Sequence, residues 1–266
     1  ATGLLTGVSG GSTTATATLG TKSGTSAVTG TLTLDAITVS PSAVSLEAGD
    51  TTRLTASPRN KNAIAVPGVT VTWGSSATGV ATVNTSGLLT GVSNGSATVT
   101  ASGGGKNGAS TVTGTLTANT VTVTPAAFSI EAGDTTQLTA SAVNANNITV
   151  PTAGLTWSTS ASSVATVNTS GRVIGAGAGS ATITATLNTK SGTSATTGTL
   201  TAASLALGSA NDTVRIAQTR QLAATVTSIR GIVMSGSSIT WSTLAGGVAS
   251  VSASGLVTGV GVGNTS

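Results

Sequence analysis

Over most of the chain apolar residues alternate with threonine and serine, the period of a strand with one face turned inward. Val69, Val71 and Trp73 alternate with Thr70 and Thr72, and Ala97, Val99 and Ala101 with Thr98 and Thr100. Ala181, Ile183 and Ala185 repeat the second pattern. The runs are short and separated by turn clusters at Ala48 to Asp50, Asn84 to Gly87 and Ser93 to Gly95. Between Ile37 and Ala118 this predicts seven or eight short strands, no helix, and an antiparallel β-sandwich. Thr51 to Ser57 reads as one strand, and 58–68 as an exposed loop with a short strand at Ala63 to Val66. Lys106 falls in a Gly-rich hairpin loop before the last strand.

The pattern recurs every 84 residues. Gly3, Gly87, Gly171 and Gly255 keep that spacing, as do Trp73, Trp157 and Trp241, and Leu54, Leu138 and Leu222. Lys22, Lys106 and Lys190 follow it too, with no insertion or deletion over the whole length. Copies of this size hold a small two-layer core, and packing between neighbours can add to it. The recurring Trp and Leu are therefore expected in the core, since aromatics make up only 2% of the chain.

Charge and composition narrow the chemistry. Ten Lys and Arg against six Asp and Glu give +4, scattered without a basic stripe, so no nucleic-acid footprint is expected. No run of about 18 apolar residues suggests membrane insertion. Without His, Cys or Tyr, the usual triads, thiol nucleophiles and zinc sites have no residues to use, so no catalytic residue, cofactor or metal is expected. Glu47/Asp50 and Glu131/Asp134 form a repeated Glu-Ala-Gly-Asp turn, but the third copy has Arg215 and Gln218 there. That favours a turn over a calcium site, which takes six or more oxygens.

The ordered elements resemble the bacterial immunoglobulin-like domain, group 2. They are Val39/Pro41, Gly49 to Ala56, Val71 to Ser75, Val80 to Gly91 and Gly95 to Ala101, repeated at Val123/Pro125, Gly133 to Ala140, Leu155 to Ser158, Val164 to Gly175 and Gly179 to Ala185. The third copy departs at Ser209 and at Ala217-Gln218. The resemblance implies an all-β chain of tandem immunoglobulin-like antiparallel sandwiches, as in bacterial surface proteins, adhesins and phage structural proteins. The expected domains are 37–118 and 121–202, a third at 205–266 lacking its last two strands, and the last strands of a further copy in 1–34.

Residues 253–266 overlay 1–14 in unbroken register, as in a window cut from a longer array. The alternative is strand donation, in which Ser12, Ala15, Ala17, Leu19 and Leu32 of one chain complete the last domain of another. The expected function is a non-enzymatic extracellular stalk or fibre. Its partners are self-association or further copies of the array. The competing expectations are an adhesin module that holds a host receptor or glycan through loops 58–68, 142–154 and 226–237, and a phage structural or decoration protein.

Overall fold

The computed structural model describes residues 2–266, which form strands and turns only. They divide into two compact units. One comprises residues up to Asn119 together with Val143–Val150, and the other Thr120–Ala142 with Pro151–Ser266.

The first unit holds a hairpin, Gly11–Leu19 with Lys22–Gly30, and a complete sandwich. One sheet of the sandwich has the order Ala43–Glu47, Lys106–Thr115, Gly95–Gly103, Thr72–Ser75. Ala36–Ser40 pairs with Thr55–Arg59, and Thr51–Arg53, Leu88–Gly91 and Ala81–Val83 form a third ladder. All pairings are antiparallel except that of Ala43–Glu47 with the end of Lys106–Thr115. Alternation sends Val99, Ala101, Val112, Leu46, Leu89 and Leu54 into one core.

Four local expectations change. Thr51 to Ser57 is two strands, because the chain switches partners at the buried Leu54, whose N–H donates to the Gly87 carbonyl at 2.8 Å. The alternation runs straight through this switch and gives no sign of it. The Trp73 strand begins at Thr72 instead of Val69, because its ladder with Gly95–Gly103 ends at the Thr72–Ser102 pair, one residue short of the end of that strand. The hairpin turn after Gly103 is Gly104-Gly105 alone, both at positive φ, so Lys106 opens the following strand instead of lying in a loop. In segment 58–68 a single bridge, Arg59 to Ala65, replaces a strand at Ala63 to Val66.

The second unit repeats this plan. Ala127–Glu131, Lys190–Thr199, Gly179–Leu187 and Thr156–Thr159 form one sheet, and Thr135–Gln137, Arg172–Gly175 and Ala165–Val167 another. The third copy has Ala202–Leu207 paired with Ala224–Ser228, and Thr219–Gln221 with Leu256–Gly259 and Ala249–Val251. Residues 240–243, the counterparts of Thr156–Thr159, form no strand. In the second copy Thr156–Thr159 pair with Ile183–Thr186, whereas the third copy's register reaches only Ser266, the counterpart of Thr182. Leu205 and Leu207 of this copy are exposed, whereas their counterparts Val121 and Val123 are buried.

Candidate functional site

Three features recur in register, and each has a different environment. The first is the Trp. Trp73, Trp157 and Trp241 are half-buried, resting against the glycine of the turn that joins two paired strands, Ala81–Val83 to Leu88–Gly91 in the first copy. In the second copy Asn168 Oδ1 accepts the N–H groups of Ser170 and Arg172 at 3.0 and 2.9 Å, which forces the turn and places Gly171 at φ +81. A Cβ on Gly171 would lie 2.8 Å from the Trp157 ring. Leu54 and Leu138 are each 1% exposed, whereas Leu222 is half-buried. Beside Trp73 and Trp157 lie open, hydroxyl-lined depressions of about 350 and 320 Å³.

The second feature is the hairpin Gly11–Leu19/Lys22–Gly30. Its register, Gly11 opposite Gly30 through Leu19 opposite Lys22, is that of Gly95–Gly103/Lys106–Thr115 and of Gly179–Leu187/Lys190–Thr199. Those two hairpins are flanked on both sides by strands of their own sandwich; among the described residues this one pairs only with itself. Leu19 is 86% exposed, and its counterpart Leu187 3%. Ala15, Ala17 and Leu19 share the face that is buried in the complete copies. Ser12 is on the opposite face by alternation, and Leu32 lies beyond the hairpin.

The third feature is the Glu-Ala-Gly-Asp turn. Glu47 Oε1 accepts the Thr117 N–H at 2.7 Å, and Oε2 accepts the hydroxyls of Thr115 and Thr117 at 2.7 and 3.2 Å. Glu131 holds Thr199 and Thr201 in the same way. Partial burial raises the Glu47 pKa, but the hydrogen bonds from Thr115, Thr117 and Asn144 outweigh it, and the carboxyl titrates below its usual range. For Glu131 the Thr201 N–H is the main cause, with the Thr199 hydroxyl next, and the pKa is again lowered.

The turn also receives side chains from a distant loop. Asn144, 2% exposed, donates from Nδ2 to the Ala48 carbonyl at 2.7 Å and to Glu47 at 3.3 Å. Asn146 donates to the same carbonyl and to Asp50 Oδ1, both at 2.9 Å. In the second unit Arg230 pairs with Asp134. Sequence reasoning gave these turns a local role and missed the loop residues. Asn144, Asn146 and Arg230 lie in the segments expected to be variable exposed loops, and only the changing residue at 62, 146 and 230 signalled them.

No helix among the described residues is long and apolar enough to cross a membrane, and no three His, Cys, Asp or Glu side chains gather there to hold a metal ion.

The sequence model of the bacterial Ig-like domain (group 2) matches residues 33–115 and 117–200. Ice-binding protein 1 of Shewanella frigidimarina (strain NCIMB 400) is 38% identical over 272 residues, covering all of this chain and 30% of that protein. The chain thus spans 30% of the length of this relative. Among solved structures, invasin, a bacterial integrin-binding protein, has a TM-score of 0.39 at 18% identity, covering 95% of this chain and 60% of that one. The Escherichia coli adhesin FdeC has a TM-score of 0.34 at 22% identity, covering 79% and 78%. Domains 4–9 of the surface layer protein SbsC have a TM-score of 0.33 at 21% identity, covering 75% and 37%.

Proposed function

The chain belongs to the bacterial Ig-like domain (group 2) family, and on that footing we propose that it is a non-enzymatic, extracellular spacer within a bacterial surface protein. Its task is mechanical: successive sandwiches set the distance between whatever stands on either side of them. The observation that carries this reading is the unbroken 84-residue register, in which turn, Trp and hairpin recur without insertion. A ligand-binding domain elaborates loops asymmetrically, whereas these copies keep their lengths. The ice binding named for the Shewanella relative is a property of that protein, and the part matched here is assigned the spacer role.

The test is deletion of residues 37–118 together with the two that follow, one whole period, from the native surface protein. Electron microscopy of the cells is expected to show the projecting fibre shortened by one repeat, with the activity of the rest intact. A fibre of unchanged length would overturn the reading, as would activity lost while the protein stays folded at the surface.

A second reading, filament assembly by strand complementation, is favoured by the hairpin Gly11–Leu19/Lys22–Gly30, whose inward-type face is exposed. In it, that hairpin takes the place beside residues 211–215 and 240–243 of another chain that Gly179–Leu187 and Lys190–Thr199 take beside Ala127–Glu131 and Thr156–Thr159. Sedimentation of the 266-residue chain decides it: concentration-dependent growth abolished by Leu19→Lys supports donation, and a monomer at all concentrations excludes it.

A further inference from the structure

The loop that carries Asn144 is built on one plan in all three copies. Asn144 Oδ1 accepts the N–H groups of Asn146 and Ile148, both at 2.9 Å, so its amide nitrogen is turned outward as a donor. Asn60 does the same with Asn62 and Ile64 at 2.9 Å, and the Ser228 hydroxyl with Arg230 and Ile232 at 3.3 and 3.2 Å. Each loop then turns through a residue at positive φ: Ala63, Asn147 or Gly231. The residue presented at the tip is asparagine in the first two copies, Asn62 and Asn146, and Arg230 in the third.

The turn that receives the loop is equally regular. In the first two copies its backbone is fixed by Asp50 N–H to Glu47 O at 3.0 Å and Asp134 N–H to Glu131 O at 2.9 Å. The glycine between has φ +92 at Gly49 and +90 at Gly133. Its missing side chain is where the tip fits. A Cβ on Gly49 would stand 2.6 Å from Asn146 Cβ, and one on Gly133 3.3 Å from Arg230 Cγ. The third copy keeps the backbone, with Gln218 N–H to Arg215 O at 2.9 Å, but puts Ala217 at the glycine position at φ 63. Its Cβ fills the place of the tip, and neither carboxylate is present.

We propose that the Glu-Ala-Gly-Asp turn is a seat for the Asn/Ser-closed loop of the copy that follows it, and that the tip residue selects the chemistry of each joint. The same turn thereby holds two things, the outgoing chain through Glu47 or Glu131 and the next copy's loop through Gly-Asp. The first joint is made of amide donors on a carbonyl and two carboxylates. The second is an ion pair between half-exposed side chains, a contact that salt weakens. The third turn, closed by Ala217, is not a seat of this kind. The Asn60–Asn62 loop has the form of the seated one, and the partner that fits it is another Glu-Ala-Gly-Asp turn.

The second joint lies within one unit and can be tested in the full chain, which has no native cysteine. Spin labels on Thr166→Cys and Ser250→Cys, both exposed, report the distance between the second and third copies. Small interfaces between domains leave them mobile by default, so loss of the joint is expected to widen the distance distribution about two-fold. Arg230→Asp is expected to widen it, as is about 1 M salt, which shortens the Debye length to about 3 Å. The swap Asp134→Arg with Arg230→Asp is expected to restore the narrow distribution. Arg230→Asn, which installs the first joint's tip, is expected to keep it narrow and remove the salt dependence. A native distribution that is already broad, a width unchanged by Arg230→Asp in a folded chain, or a swap as broad as the single variants would each overturn the proposal.

Discussion

Replacing Gly171 by alanine separates two reasons why a glycine recurs in every copy. Gly171 has φ +81, a region in which a side chain costs about 1–2 kcal/mol. The added Cβ would also stand 2.8 Å from the Leu138 carbonyl oxygen and 2.8 Å from the Trp157 ring, so backbone or indole must move. Overpacking of this kind costs a further 1–3 kcal/mol or so. The expected total is about 2–5 kcal/mol, a large share of the roughly 5–15 kcal/mol that holds an ordinary domain together. Gly154 is the control: its φ is +83, yet nothing lies within 4 Å of an added Cβ, so only the backbone cost applies. Hydrogen exchange with mass-spectrometric readout, run across a urea series, follows each copy through its own peptides. With a slope of about 1.3 kcal/mol/M, the Gly171→Ala midpoint in peptides from 121–202 should fall by roughly 1.5–4 M, and that for Gly154→Ala by about 1 M. Peptides from 37–118 should hold their native midpoint in both variants. Equal costs for the two alanines would refute the role of the Trp157 contact, and no cost at Gly171 would refute both terms.

Two further outcomes follow from the same geometry. Leu138→Ala, at a site 1% exposed, should cost about 2–5 kcal/mol in denaturant unfolding, whereas Leu222→Ala, at its half-buried counterpart, should cost less than about 1.5 kcal/mol. The pKa of Glu47 is lowered in the folded chain, so its hold on Thr117 is fully present above the unfolded value near 4.3 and is lost as pH falls through the folded one. The Thr117 amide proton in NMR spectra should therefore titrate below about pH 4.3, and in Glu47→Gln it should not.

The fold was legible because each copy must satisfy it separately. A buried Val99 or Ile183 is demanded by its own sandwich, so alternation and register point to it three times over. The partner switch at Leu54 was hidden because it leaves the inward and outward faces unchanged and alters only which strand supplies the hydrogen bonds. The Trp was legible as a repeated feature but not as one seated on a glycine, since that contact joins residues 14 apart across a turn.

The joint was illegible for a different reason. Overlaying copies compares equivalent positions, such as 62, 146 and 230, and makes a changing residue look like loop tolerance. The contacts run between non-equivalent positions of successive copies, from 146 to 50 and from 230 to 134. Along that diagonal the variation becomes ordered. An amide meets a carboxylate, then a guanidinium meets one, and both tips are admitted by a glycine. The third copy loses glycine and both carboxylates together, at Arg215, Ala217 and Gln218. A residue kept only for its turn would not be expected to vanish together with two carboxylate neighbours, because Ala217 still makes the turn at φ 63. What disappears there is the place for a tip, so Gly49 and Gly133 are better explained by what they admit than by the backbone angle they adopt.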